Sequence, residues 1–169
     1  ESIMLSLGTS RLYQHVYADH TLTEAWRHVR SGTEQAGVDG VTVAQFQARL
    51  FLHLKALQDT LRQRRYQPQP VKRISIPKSD GTRRPLGILT VADRIVQRAV
   101  SLTIEPLFDA EFAECSHGFR KGRSIHTALD QVVRLINHGY GWVVDLDIAN
   151  CFERINTALL FTYIRDTLK

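Results

Sequence analysis

A chain of 169 residues with 43% hydrophobic and 23% charged content has the make-up of a soluble globular protein and the material for one good core. No apolar run approaches the ~20 residues of a membrane span and no charged-then-apolar leader opens the sequence, so a cytoplasmic protein with no membrane partner is expected. Cys115 and Cys151 have neither metal-ligand spacing nor a paired framework, which argues against a disulfide scaffold or a zinc module.

The net charge of +5 is unevenly placed. Residues 62–84 hold eight basic residues (Arg62, Arg64, Arg65, Lys72, Arg73, Lys78, Arg83 and Arg84) and one acid, Asp80, for a local charge of +7. The remainder of the chain is therefore slightly acidic. Clustered Lys and Arg of this kind suit a surface that meets phosphates, although a solvated basic face has the same composition.

In chain order, Thr21 and Glu24 make a capping-box pair at the head of a helix whose apolar positions are Leu22, Ala25, Trp26 and Val29. The segment SGTEQAGVDGVT (31–42) is a glycine-rich breaker. Phe46, Leu50, Leu54, Leu57 and Leu61 then mark one face of a long helix that ends before Pro68 and Pro70. From Val71 the period changes: VKRISIPK and RRPLGI are extended runs around SDGT, and the Asp-Gly pair predicts a basic β-hairpin. Pro77 and Pro85 make both strands edges.

Thr90 caps a helix through Ala92, Ile95, Val96, Ala99 and Val100, with its end marked by Pro106. Residues 108–123 read as irregular, and Ser124 caps an amphipathic helix through Ile125, Leu129, Val132, Val133 and Ile136, closed by Gly139. WVVDLDI (142–148) is expected to be a strand, and Asn156 to begin a last helix containing Leu159, Leu160, Tyr163 and Ile164. A lone strand cannot satisfy its own hydrogen-bonding ladder, so the sheet around it reads as unfinished.

That strand carries the chemistry. Asp145 and Asp147 interrupt an apolar run, and an unpaired buried carboxylate costs several kcal/mol. Residues two apart on a strand share a face, so both acids are placed to approach one hard cation, which favours carboxylate oxygens. Tyr17-Ala18-Asp19-His20 has the look of a second acidic motif but lacks a strand pattern around it, and is read as coincidence.

Taken together, AGVDGVT, RRYQPQPVKRISIPKSDGTRRPLGILTVADRIVQRAV, EPLFDAEFAECSHGFRKGRSIHTAL and VVDLDIANCFERI resemble the blocks of group II intron-type reverse transcriptases. That lineage includes intron maturases and CRISPR-associated enzymes, and the resemblance covers residues 31–160. It implies an α+β fold. Residues 1–30 would be a helical extension, 31–140 the fingers with the basic β-hairpin and the first palm helices, and 141–169 a partial palm with the first strand.

The resemblance also implies roles. Asp147 aligns with the first catalytic, metal-binding aspartate of the D-I-x-x-x-F pattern, and the Ile148 carbonyl would join it at the metal. Phe152 matches the residue beneath the incoming sugar, and Lys78 and Arg84 match those that bind the dNTP phosphates. Arg120 and Arg123 would contact the template, with salt bridges to acids of the palm as the structural alternative, while Arg73 and Arg83 add positive field along the nucleic acid. His117 and Lys121 stand where the family commonly has Tyr and Pro.

The implied cofactor is Mg²⁺, two ions about 3.5–4 Å apart in the full-length enzyme. The implied partners are an RNA template, a DNA primer and dNTP. The later Tyr-x-Asp-Asp strand is missing from this sequence, so the residues present are expected neither to hold the metals stably nor to polymerise alone. A non-catalytic RNA-binding or assembly module that kept the fingers is the alternative, and the unfinished sheet is a candidate for self-association.

Overall fold

The computed structural model describes residues 9–77 and 81–168, and the chain forms two compact units, Glu1–Glu105 and Pro106–Lys169. The first unit contains α1 (Thr9–Val16), α2 (Asp19–Arg30), α3 (Val43–Ala48), α4 (Leu50–Arg62), the strands β1 (Lys72–Pro77) and β2 (Arg83–Ile88), and most of α5 (Val91–Asp109). The second contains α6 (Ile125–Asn137), α7 (Cys151–Arg154) and α8 (Thr157–Thr167). The fold is α+β, as expected, with an antiparallel two-stranded sheet.

The core of the first unit gathers Val16, Leu22, Ala25, Trp26, Val29, Phe46, Leu57, Leu61, Val91, Ile95 and Ala99 from its helices. Of the apolar positions that the helical periodicity singled out in this unit, Leu50, Leu54, Ala92 and Val96 are partly buried against this core, Val100 is exposed, and the rest lie in it, because burying one stripe of each helix is the main source of stability here. Three of the helices differ from expectation in their boundaries. α2 starts at Asp19, with Ala18 as an N-cap that makes no side-chain bond, so Thr21 lies inside the helix and is buried. Gln58 of α4 fixes that start by donating to the Tyr17 carbonyl and to Asp19 Oδ1. Tyr17–His20 is thus the α1–α2 junction and belongs to no strand.

The long helix expected over Phe46–Leu61 is two helices, broken at Arg49 (φ −128°, ψ 35°). Thr42 and Gln45 form a reciprocal capping box that starts α3 earlier, at Val43. The break leaves Phe46 stacked on Trp26 at 5.3 Å and on His53 at 4.5 Å between ring centroids. α5 also runs three residues beyond its expected end, to Asp109, with Pro106 inside it. A proline there forfeits one backbone bond without ending the helix.

In the second unit the expected caps form: Ser124 with Thr127 at α6, and Asn156 accepting from the Leu159 N–H at α8. Gly139 follows α6 with φ +93°. The expected strand does not form. Residues 141–148 have no ladder partner among the described residues, where β1–β2 is the only sheet. A strand is defined by its pairing, and among the described residues this segment has no pairing partner. No residue of α6, α7 or α8 is buried, so the apolar faces are present but uncovered. Among the described residues no helix is long and apolar enough to cross a membrane.

Candidate nucleic-acid and nucleotide interface

The hairpin register sets which basic side chains lie together. Lys72 pairs with Ile88, Arg73 with Gly87, Ile74 with Leu86, Ser75 with Pro85, Ile76 with Arg84 and Pro77 with Arg83. Directly opposed residues share a face and successive residues alternate. Arg73 and Arg83 therefore occupy one face, while Lys72 and Arg84 occupy the other beside Ile74, Ile76 and Leu86. All four basic residues are exposed, and among the described residues none of them forms an ion pair. Arg83 Nη2 makes one long contact to the Ser75 carbonyl at 3.4 Å. Lys78 lies outside the described residues.

The base of this hairpin is held at the first turn of α5. Thr90 Oγ1 accepts from the Asp93 N–H at 3.1 Å and donates to Asp93 Oδ2 at 2.6 Å, capping the helix as expected. The Asp93 carboxylate is buried and also accepts from the Tyr66 hydroxyl and from the Gln69 N–H. Burial first, and then the Asp93 carboxylate beside it, push the Tyr66 phenol well above its ordinary range. Next along the helix, Arg94 donates to the carbonyls of Thr33 at 2.7 Å and Gln35 at 2.8 Å.

Gly37 sits against the same turn. A Cβ built there would lie 2.6 Å from the Thr90 nitrogen and 2.7 Å from its Cα. The glycine in this loop is therefore required by backbone contact within the protein. Sequence reasoning identified the Thr90 cap and missed Asp93, Tyr66 and Arg94. The only local signal was the Thr90-x-x-Asp93 spacing of a capping box.

In the second unit, Arg120 organises the irregular loop. Its Nε donates to Asp109 Oδ1 at 2.7 Å, its Nη1 to the carbonyls of Ala113 and Ser116, and its Nη2 to the Asp109 carbonyl. The guanidinium also lies over the Phe112 ring at 5.3 Å. The hydrogen bond and charge of Arg120 hold the Asp109 carboxyl below its ordinary range, and the same bond raises Arg120. Arg120 thus forms a salt bridge, its partner being Asp109 at the end of α5. Arg123 is less committed: it donates to the Glu114 carbonyl and meets the exposed Glu114 carboxylate at 3.3 Å. His117 reaches Thr127 and Gln131 of α6, so histidine is accommodated where the family commonly has tyrosine.

Asp145, Asp147 and Ile148 lie in the exposed segment without regular structure, and Phe152, on α7, is 86% exposed. Asn150 precedes α7 with φ 53°, the left-handed turn between the acids and the phenylalanine. Among the described residues no group of three or more His, Cys, Asp and Glu could hold a metal ion. Mg²⁺ sites commonly take one or two protein carboxylates and complete their octahedron with water and phosphate oxygens. The pair Asp145 and Asp147 fits part of such a donor set and does not close it. Arg73, Arg83 and Arg84 lie in the first unit, and Asp147, Ile148, Phe152, Arg120 and Arg123 in the second.

Comparison with known proteins adds ancestry to this geometry. The family model described as reverse transcriptase (RNA-dependent DNA polymerase) matches residues 76–167. Protein YkfC of Escherichia coli strain K12 is 40% identical over 166 residues, which is 95% of this chain and 44% of YkfC. The group II intron-encoded protein LtrA of Lactococcus lactis subsp. cremoris is 33% identical over 163 residues, 95% of this chain and 26% of LtrA. Among solved structures, a chain of a Cas6-RT-Cas1–Cas2 complex superposes with a TM-score of 0.56 at 22% identity, covering 93% of this chain and 16% of that one. This last likeness concerns the fold. The chain spans less than half the length of each of these relatives.

Proposed function

Since the chain belongs to the reverse transcriptase (RNA-dependent DNA polymerase) family, we propose that it is the fingers and the beginning of the palm of a group II intron-type enzyme. Its task is to grip an RNA template with its DNA primer and to present dNTP to the palm. The bacterial sources of YkfC and LtrA support a bacterial, cytoplasmic setting. The observation that carries the reading is the hairpin: exposed basic side chains on both faces, free of acidic partners among the described residues.

The two faces suit a division of work. Arg84, with Lys78, is assigned to the dNTP phosphates, where a guanidinium offers a bidentate clamp and an ammonium a point charge. Arg73 and Arg83, on the other face, are assigned to the nucleic-acid backbone. Arg123 is the template contact offered by the irregular loop, and Arg120 serves that contact by holding the loop in shape. Phe152 is assigned to the floor under the incoming sugar.

Asp147 and the Ile148 carbonyl would hold a divalent cation, Mg²⁺ in this reading, together with acids that these residues do not include. A bound pair of such ions activates the primer hydroxyl and neutralises the triphosphate. With the carboxylates present here that site is incomplete, so this chain alone does not extend a primer.

The test is fluorescence anisotropy of a labelled RNA-template/DNA-primer duplex, titrated at several salt concentrations with wild type and with an Arg73→Ala/Arg83→Ala/Arg84→Ala variant. Each lost phosphate contact removes about 0.7–0.9 from the slope of log affinity against log salt, so losing the two backbone contacts of Arg73 and Arg83 gives a slope shallower by about 1.5. Equal slopes for the two proteins would reduce the hairpin to a solvated basic face.

A further inference from the structure

How the hairpin is aimed is a question that deepens the function proposed above and rests on it. We propose that Asp93 is a positioning residue for the basic hairpin: it ties the segment leading into β1 to the first turn of α5, and thereby fixes where Arg73, Arg83 and Arg84 point. Asp93 is 5% exposed and stands between Val91 and Ile95, which are both fully buried. A carboxylate in such a place is unfavourable unless its lone pairs are filled.

Capping the helix does not require that burial. Thr90 already caps α5 through its hydroxyl, and an exposed carboxylate would serve the helix dipole as well. What the buried carboxylate adds is long-range. It accepts from the Tyr66 hydroxyl and from the Gln69 N–H at 3.2 Å. Both donors belong to the irregular stretch between α4 and β1, whose backbone stays bonded to α4 only as far as Arg65, through the Thr60 carbonyl.

The two legs of the hairpin are therefore held differently. The outgoing leg runs through buried Ile88 and Thr90 directly into α5. The incoming leg reaches the same helix only through side chains: the Tyr66 ring against the core, and the bonds to Asp93. Between these legs the hairpin is almost wholly exposed. Releasing Asp93 leaves the incoming leg held by the Tyr66 ring alone, so the hairpin gains freedom to pivot about Ile88. Arg94 fastens Thr33 and Gln35 to the same turn, so the glycine-rich loop and the hairpin share one anchor point.

The experiment compares wild type, Tyr66→Phe, Asp93→Asn, the Arg73→Ala/Arg83→Ala/Arg84→Ala variant, and each anchor change combined with that variant. Binding to the RNA-template/DNA-primer duplex is measured across salt. Each anchor change should weaken binding roughly fivefold and flatten the salt slope. Added to the triple variant it should do nothing further, because it acts through the arginines already removed. Thr90→Ala, which removes the cap and leaves the Tyr66 and Gln69 bonds, should lower the unfolding midpoint without changing the slope.

Losses that add to those of the triple variant, or wild-type binding by both Tyr66→Phe and Asp93→Asn, overturn the positioning role. Hydrogen exchange separates this from failure of the nucleic-acid reading. If the triple variant binds like wild type, the nucleic-acid reading falls, and the anchor is then judged by exchange alone. Faster exchange over residues 66–77, with exchange over α2 unchanged, supports the anchor; equal exchange at both overturns it.

Discussion

Gly37→Ala offers the sharpest test of the packing around α5. The new Cβ would meet the Thr90 nitrogen at 2.6 Å, its Cα at 2.7 Å and the Leu89 carbonyl carbon at 2.9 Å. All three are backbone atoms, and Thr90 is 1% exposed and engaged in the cap of α5, so no flexible side chain can turn aside. Overpacking of this kind costs ~1–3 kcal/mol. Against it stands the loss of chain freedom in the unfolded state, which favours alanine over glycine by ~0.4–1 kcal/mol. The clash wins, leaving a net loss of about 1–2 kcal/mol, or roughly 1 M in a urea midpoint for a unit of this size.

Trp26, buried and stacked on Phe46, reports unfolding of the first unit by fluorescence once the exposed Trp142 is replaced by Phe. Gly40→Ala is the control from the same loop. Gly40 has φ +70° and nothing within 4 Å of a built Cβ, so its penalty is backbone strain alone. Asparagine tolerates that conformation, so Gly40→Asn should recover stability that Gly40→Ala loses, whereas Gly37→Asn should be at least as damaging as Gly37→Ala. A Gly37→Ala midpoint equal to or above wild type would refute the close approach.

Three further outcomes are expected. Tyr66 is raised in the folded state, so its contribution to stability is complete below the ordinary tyrosine value of about 10 and fades as pH rises above it; Tyr66→Phe should flatten the alkaline fall in the unfolding midpoint, and an unchanged alkaline limb would contradict the burial of that phenol. Asp109 is lowered by Arg120, so the order it gives the 109–120 loop is present above the ordinary carboxylate value of about 4 and is lost as pH falls through the lowered one. Asp109→Asn should make hydrogen exchange in that loop fast and insensitive to acid, and retained protection would show that Arg120 is held by the carbonyls alone. The uncovered second unit should self-associate, with light scattering rising with concentration, and Val144→Lys with Leu146→Lys should suppress it; scattering that is the same in both proteins would assign the association elsewhere.

What could be read from sequence divides by the reach of the interaction. The caps at Thr90, Ser124 and Asn156 were legible because their partners lie three residues away, and the hairpin because its turn chemistry is local. The tie from Asp93 was not, since Tyr66 and Gln69 stand 27 and 24 residues from it and nothing in their own neighbourhoods marks them as donors. Arg120 shows the converse. Its place in a basic, glycine-punctuated loop suggested a phosphate ligand, yet its donors are occupied by one carboxylate and three carbonyls of the same loop.

Apolar periodicity names a face without naming its cover. Ile95 and Val133 both occupy the apolar stripe of a capped helix, yet Ile95 is fully buried and Val133 is 54% exposed. The difference lies in what shares each stripe's surroundings: Ile95 belongs to one buried core with residues of α2 and α4, whereas α6 buries none of its own residues. WVVDLDI follows the same logic more strictly. Its β-branched, alternating pattern is a request for neighbours on both edges and both faces, and a strand exists only when they answer. Asp147 inherits that condition, because a carboxylate on an unpaired, solvated backbone has no fixed position from which to hold a metal. In this reading the hairpin and its anchor are set by residues 33–94, whereas Asp147 stands on a segment that has no pairing partner among the described residues.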